Sequence, residues 1–281
     1  MQLVIISGLS GSGKSVALNV LEDASFYCVD NLPATLLAET IDFLAQAGYA
    51  RVAVTIDARS GAALAELPAS MRALKARGVD VRLLFLDAKN ETLIKRFSET
   101  RRRHPLADGG ATLDEAIARE RELLEEVGEL GQHVDTSDLA PNALRAWIRD
   151  LVAADRKGLT LAFESFGFKQ GIPLDADLVF DMRCLPNPFY DPKLRPLTGL
   201  DEPVVRFLDA LPEAGRLLAD IGDFIERWLP SFVRDNRASV TVALGCTGGQ
   251  HRSVWFAERL AKRFQAQVPV LVRHRQLAAS R

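Results

Sequence analysis

Short apolar runs alternate with stretches of helical period along the first half of the chain. Leu3-Val4-Ile5-Ile6, Phe26-Tyr27-Cys28-Val29, Val52-Ala53-Val54-Thr55-Ile56, residues 81–87 and His133-Val134-Asp135-Thr136 read as strands. Between them the apolar spacing predicts a helix beginning at about residue 14 and carrying Val16, Ala17, Leu18, Val20 and Leu21. Further helices are expected over about 34–47, 62–77, 91–102, 113–129 and 141–154. Near-continuous apolar strands alternating with helices imply an α/β fold: a parallel sheet covered on both faces, with ligands at the carboxyl ends of the strands.

After the polar stretch Asp155-Arg156-Lys157-Gly158 the order changes, which places a domain boundary between residues 1–154 and 155–281. Residues 159–167 and 178–180 look like strands. The next stretch, 181–192, is irregular, because Pro186, Pro188, Pro192 and Pro196 exclude regular helix or a central strand. A long connection of this kind inside a domain reads as a binding loop. An amphipathic helix is expected over about 213–234. A strand at 240–245 follows, then a helix from about Ser253 with Phe256, Leu260 and Phe264 on one stripe. The second half is thus a smaller α/β domain.

The first strand runs into Gly8-Leu9-Ser10-Gly11-Ser12-Gly13-Lys14-Ser15, which fits G-x-x-x-x-G-K-[ST] between a strand and a helix. Glycines let successive amides turn inward on a phosphate, and the helix N-terminus adds its partial positive charge. Lys14 can reach the β- and γ-phosphates, and the Ser15 hydroxyl can ligate Mg²⁺. This is the signature of a P-loop NTPase domain of kinase type. Asp30, Asp57 and Asp87 each end a strand on the edge that this loop occupies. Asp87, after an apolar run, is the best match to a Walker-B acid and is paired with Lys14 as the candidate catalytic residues. Asp30 and Asp57 would face a base, ribose or phosphoryl acceptor, and helix capping explains any one of the three equally well. The cations Lys95, Arg96, Arg101, Arg102 and Arg103 either close over phosphates or form a solvated face.

A second strand–loop–helix unit occurs at Cys246-Thr247-Gly248-Gly249-Gln250-His251-Arg252-Ser253. It is a second anion cradle, whose candidate phospho-ligand residues are Cys246, Thr247, Gly248, Gly249, His251, Arg252 and Ser253. Arg252 could fork onto two phosphate oxygens. The spacing C-x5-R-S is also that of cysteine phosphatases, although Gly245 stands where those enzymes usually place a histidine. Phosphate binding needs only the backbone geometry.

Composition narrows the class. The chain has 281 residues, 48% apolar and 26% charged, enough to bury real cores. Cys28, Cys184 and Cys246 are scattered, with no metal-ligand spacing, as expected in a reducing compartment. No apolar run is long enough to span a bilayer and the N-terminus enters a core strand without a leader, so a cytoplasmic protein that does not meet membranes is expected. The net charge of −2 is uneven: residues 1–154 carry 17 Lys/Arg against 22 Asp/Glu, and residues 155–281 carry 18 against 15. Residues 251–281 hold seven basic side chains and one acid, Glu258. Such an end points to a polyanionic partner or to a solvated charged surface.

The Gly-rich loop at residues 8–15, Asp30-Asn31-Leu32-Pro33, Asp57-Ala58-Arg59-Ser60, Asp181-Met182-Arg183, Leu185-Pro186-Asn187-Pro188, Arg195-Pro196-Leu197-Thr198-Gly199 and the loop at 245–253 together resemble the RapZ/YvcJ family of P-loop nucleotide-binding proteins, essentially end to end. That resemblance implies ATP and GTP binding with slow hydrolysis, a weak ATPase or GTPase at most. It places ATP phosphates on residues 8–15 and GTP on Asp57, Ala58, Arg59 and Ser60. Enterobacterial members are RNase adapters: they bind small regulatory RNAs through the basic C-terminal end, sense glucosamine-6-phosphate in the C-terminal domain and work as tetramers. By resemblance, Thr247, Gly248 and Arg252 would line a sugar-phosphate pocket, and Lys262, Arg263, Arg273, Arg275 and Arg281 would contact RNA. Phe189 stands where enterobacterial members have His, and the tail is less basic at its very end than theirs. The leading expectation is a nucleotide-binding regulator. The alternatives are a small-molecule kinase using the same loop and a cysteine phosphatase built on Cys246.

Overall fold

Strands that are apolar on both faces need cover on both faces, and parallel pairing between helices supplies it. The computed structural model describes residues 1–107, 110–137, 139–153, 159–235, 237 and 239–278. It divides into two compact units, Met1–Arg149 and Asp150–Arg281. The boundary expected at 154/155 lies outside the described residues. No helix among the described residues is long and apolar enough to cross a membrane.

In the first unit β1 (Gln2–Gly8) leads through the Gly-rich loop into α1 (Lys14–Asp23). Then come β2 (Tyr27–Val29), α2 (Leu37–Gln46), β3 (Arg51–Thr55), α3 (Leu67–Ala76), β4 (Asp80–Asp87), α4 (Asn90–Thr100), α5 (Leu113–Glu129), β5 (Gln132–Asp135) and α6 (Pro141–Ala153), whose last turn passes the boundary at Arg149. The sheet runs β2-β3-β1-β4-β5 with every pair parallel. Leu3, Ile5, Val52, Val54, Leu83 and Phe85 join Leu37, Ile41, Leu67, Leu74, Ile117 and Leu124 in its core. The strand before residue 14 is therefore central, and the loop that leaves it sits at the middle of the carboxyl edge. Gly8 pairs with Leu86 in register, and a Cβ there would lie 2.0 Å from the Leu86 carbonyl oxygen. Only glycine fits that approach, since its φ of 133° is also in the left-handed range. One helix starts later than its apolar pattern predicts. Residues 58–66 are 3₁₀, because the Asp57 side chain caps Arg59 and Gly61 breaks the run at φ 54°, so α3 begins at Leu67.

In the second unit the elements are β6 (Thr160–Gly167), β7 (Leu178–Asp181), α7 (Glu202–Asp209), α8 (Pro212–Arg234), β8 (Ser239–Cys246), α9 (Arg252–Phe264), β9 (Val270–His274) and α10 (Arg275–Ala278). The sheet order is β7-β8-β6-β9, again all parallel. The proline-rich stretch folds as two 3₁₀ turns anchored by buried Met182, Leu185 and Leu194.

β9 changes the reading of the basic C-terminal end. It pairs with β6 so that Arg273 lies opposite Glu164. Arg273 Nη1 is 3.3 Å from Glu164 Oε1 and 3.5 Å from Asp175 Oδ2, and Arg275 Nη1 is 3.1 Å from Glu164 Oε1. Burial, with Asp175 close by, pushes the Glu164 carboxyl up to about 7. Arg273 and Arg275 were expected on an RNA-binding surface, but they are only 7% and 6% exposed. That expectation is corrected: each cation is held inside the unit by an acid brought there from elsewhere in the chain. Arg259 pairs with Asp209 of α7, and Arg263 with Asp223 and Glu226 of α8. Of the five expected RNA contacts, Lys262 is exposed, Arg263 is half-buried in its pairs, and Arg281 lies outside the described residues.

Candidate functional site

The first cradle is built by a loop in which four carbonyls are tied back by side chains. Lys14 Nζ donates to the Gly8 carbonyl at 2.6 Å and the Leu9 carbonyl at 3.1 Å. Arg96 Nη1 donates to the Gly11 carbonyl at 3.0 Å, and Thr136 Oγ1 to the Ser12 carbonyl at 2.8 Å. Gly11 and Gly13 adopt φ of 85° and 107°, the left-handed turn that lets successive amides point the same way. Gly13, Lys14 and Ser15 open α1, so their amides have no intrahelical acceptor and remain as donors for an anion. Ser12 Oγ is fully buried within the loop with no hydrogen-bond partner. An orphaned hydroxyl beside unpaired amides is what a phosphate-binding loop presents before its ligand arrives. The residues present therefore fit a nucleotide phosphate chain, and the exposed Ser15 hydroxyl fits a magnesium ion bound to it.

Lys14 sits in this ring with its pKa lowered, chiefly by burial, while Glu120, Asp57 and Asp30 draw it back up. Those acids come from several elements. At the ends of β2 and β3, Thr55 Oγ1 donates to Asp30 at 2.5 Å and accepts from the Asn31 amide at 2.6 Å. Arg59 forks onto Asp57 at 3.0 and 2.6 Å and also reaches Asn31. The Arg59 hydrogen bonds hold the Asp57 carboxyl below its usual value against the opposing effect of burial. Asp30, Asn31, Asp57 and Arg59 thus form one polar network beside Lys14. Asp87, expected to assist magnesium, turns instead onto Arg121 Nη1 of α5 at 2.7 Å and the Ala88 amide at 2.7 Å. A metal role would require Asp87 to share that pair. Of the five cations at 95–103, Arg96 is the one that the hydrogen bonds bring to the loop, and Arg101, Arg102 and Arg103 are exposed.

Two residues at this loop were not visible in the sequence. Glu120, on α5, receives the Ser10 amide at 2.8 Å and the Ser10 hydroxyl at 2.8 Å. His104 Nε2 lies 3.0 Å from the same carboxylate. They lie 110 and 94 positions from Ser10, so no local pattern could have paired them.

The second cradle follows β8. Gly249 has φ 72°, and a Cβ on Gly248 would meet nothing within 4 Å, so the loop is open at Gly248. Cys246 Sγ receives the Gly249 amide at 3.2 Å and lies 3.2 Å from Ser253 Oγ. Burial opposes ionisation of this thiol, yet the hydrogen bonds from Ser253, His251 and Gly249 outweigh it and hold the pKa below the usual thiol value. Cys246 is 2% exposed, sunk at the floor of the loop. Arg252 Nη1 is anchored to the Leu185 carbonyl at 2.7 Å, its Nη2 reaches Thr247 Oγ1 at 3.4 Å, and its Nε is buried without a partner. Burial lowers the Arg252 pKa, and Cys246 and Asp181 act against that. His251 is buried against the Leu194 carbonyl at 3.2 Å, also with a lowered pKa from burial. The proline-rich segment packs on this loop through Gly199, whose amide donates to the Gln250 carbonyl at 2.8 Å. From that segment Phe189 stands 48% exposed, with Arg195 stacked 4.8 Å from its ring.

Comparison with known proteins agrees with this two-part build. Residues 1–156 match the model for the RapZ-like N-terminal domain, and residues 159–278 match that for the RapZ C-terminal domain. A protein of Thiobacillus denitrificans called nucleotide-binding protein is 62% identical over 278 residues, covering 99% of this chain and 100% of its own length. One from an Azoarcus species with the same description is 61% identical over 279 residues, covering 99% of this chain and 96% of its own length. A Chromobacterium violaceum protein so named is 58% identical over 277 residues and covers 99% of each chain. On these matches, which take in both the Gly-rich loop at residues 8–15 and the loop at 246–253, the chain belongs to the RapZ family.

Proposed function

We propose that the chain is a cytoplasmic regulator that binds ATP and GTP with Mg²⁺ at residues 8–15, and a phosphorylated metabolite at residues 246–253. The observation that carries the first half is the set of unpaired donors at the start of α1, Lys14 folded over the same ring, and the orphaned Ser12 hydroxyl. The relatives' common description as nucleotide-binding proteins supports it. Asp57, Ala58, Arg59 and Ser60 lie beside that ring and are the segment through which GTP would be read. Ser15 would hold Mg²⁺, which would neutralise negative charge on the bound phosphates. Lys14 takes charge on the terminal phosphate, and in-line attack by water gives slow hydrolysis, so enzymatic turnover is weak at most.

For the second half, a buried guanidinium with an unpartnered Nε beside an open glycine and a helix N-terminus asks for an anion. A sugar phosphate such as glucosamine-6-phosphate has the chemistry to fill it. Small regulatory RNA, an RNase and a tetrameric assembly belong to the same proposal, with Lys262 as the exposed cation among the described residues of the expected RNA set. Calorimetric titration of glucosamine-6-phosphate into the full chain should show one site. Arg252→Lys should weaken it by about 10-fold or more, because a lysine cannot fork onto two oxygens. Unchanged affinity in that variant would show that the ligand sits elsewhere.

A further inference from the structure

A carboxylate already occupies part of the phosphate loop. Both Glu120 oxygens engage Ser10, one on the amide and one on the hydroxyl, each at 2.8 Å. The third neighbour, His104, is oriented by the Leu106 amide, which donates to His104 Nδ1 at 3.1 Å. Nδ1 is therefore the acceptor, and Nε2 carries the proton that points at Glu120. All three partners donate, so the group they surround acts as the acceptor-only carboxylate. Glu120 is 1% exposed and the His104 side chain is fully buried, with the Phe97 ring 5.2 Å from the imidazole, so neither can swing away to solvent.

The position matters more than the burial. Ser10 is the third residue of the loop, and its neighbour Leu9 holds the Lys14 ammonium at 3.1 Å through its carbonyl. Lys14 is the group expected to meet the terminal phosphates, and Glu120 is among the acids that draw its pKa back up against burial. The amide of Ser10 is already spent on Glu120. A further phosphate added beyond the β-position would arrive at this end of the loop, beside a fixed negative charge and with one amide fewer to meet it.

We infer that Glu120 is a specificity-determining residue that sets the loop against a fully charged γ-phosphate, so that nucleoside diphosphates bind in preference to triphosphates. The inference rests on the reading of residues 8–15 as a nucleotide site. A carboxylate is repelled by each extra terminal charge, and the repulsion is strong where water is excluded. The α- and β-phosphates, held by amides at the start of α1, are further along the loop and feel it less.

The test compares dissociation constants of MgADP and MgATP for the full chain and for Glu120→Gln, with circular dichroism to confirm folding. The wild type should favour MgADP, and the substitution should bring MgATP closer to MgADP by about 10-fold or more. A ratio that stays put, or moves toward the diphosphate, overturns the inference. Since the glutamine amide would face a donor, the variant could fold poorly, and a second measurement uses the wild type alone. The γ-methyl ester of ATP, with one terminal charge removed, should bind more tightly than ATP. Equal or weaker binding of the ester overturns the inference whatever the variant does. If neither MgADP nor MgATP binds the wild type, the nucleotide reading itself fails and this inference with it. If both bind but show no preference, only Glu120's role is lost.

Discussion

Lys14→Ala should weaken binding of MgATP and MgGTP by about 100-fold or more while leaving the fold intact. The Lys14 ammonium lies on the Gly8 and Leu9 carbonyls, beside the first turn of α1 that Lys14 itself opens. Gly8 and Leu9 are buried, so water entering the space left by the side chain would have to meet their carbonyls, and a loss of about 1–3 kcal/mol of stability is expected with the fold retained. The loss of charge-assisted bonds to the β- and γ-phosphates has no substitute, because Arg96 is committed to the Gly11 and Thr136 carbonyls. Calorimetry gives the affinity, and thermal unfolding by circular dichroism gives the fold. Retained nucleotide binding in a folded Lys14→Ala chain would remove Lys14 from the site.

Arg273→Ala should destabilise the second unit by about 3–5 kcal/mol, since removing one member of a buried ion cluster leaves acids uncompensated. Glu164 and Asp175 are 2% and 7% exposed, and both lose the Arg273 guanidinium, with Arg275 Nη1 left 3.1 Å from Glu164 and 3.9 Å from Asp175. Urea unfolding midpoints measure the effect. Lys262→Ala is the contrast: this exposed side chain should cost no more than about 0.5 kcal/mol, and any effect it has should fall on binding of RNA. If Arg273→Ala unfolds at the wild-type midpoint but loses RNA, Arg273 is a surface contact and the burial account is wrong.

What the sequence disclosed follows from how local each signal is. The loop at residues 8–15 was legible because glycine, lysine and serine at fixed offsets between a strand and a helix carry their own geometry. The sheet was legible for the same reason: apolar runs such as Leu3-Val4-Ile5-Ile6 declare burial on both faces. Charge was not local. Arg263, Arg273 and Arg275 read as a basic end until α8 and β6 brought Asp223, Glu226 and Glu164 to them over 37 to 111 positions. β9 went unread because it is a short edge strand whose partner, β6, lies about a hundred residues earlier. α7 had its signs, Asp201 before it and Pro203 in its first turn, but they were masked by the prolines preceding it. Glu120 and His104 had no signal at all, since a glutamate on a charged helix and a histidine before a proline are individually ordinary.

The function proposed for this chain needs two anion-binding loops, each at the start of a helix. A crystal structure of the full chain grown with MgADP and glucosamine-6-phosphate tests it most directly. The expected result is diphosphate density against the amides of Gly13, Lys14 and Ser15, with Nζ of Lys14 moved from the Gly8 and Leu9 carbonyls onto a phosphate oxygen, and sugar-phosphate density beside Gly248 and Arg252. Clear ligand density at other places, with Lys14 still folded on its own loop and Arg252 Nε still unpaired, would contradict it.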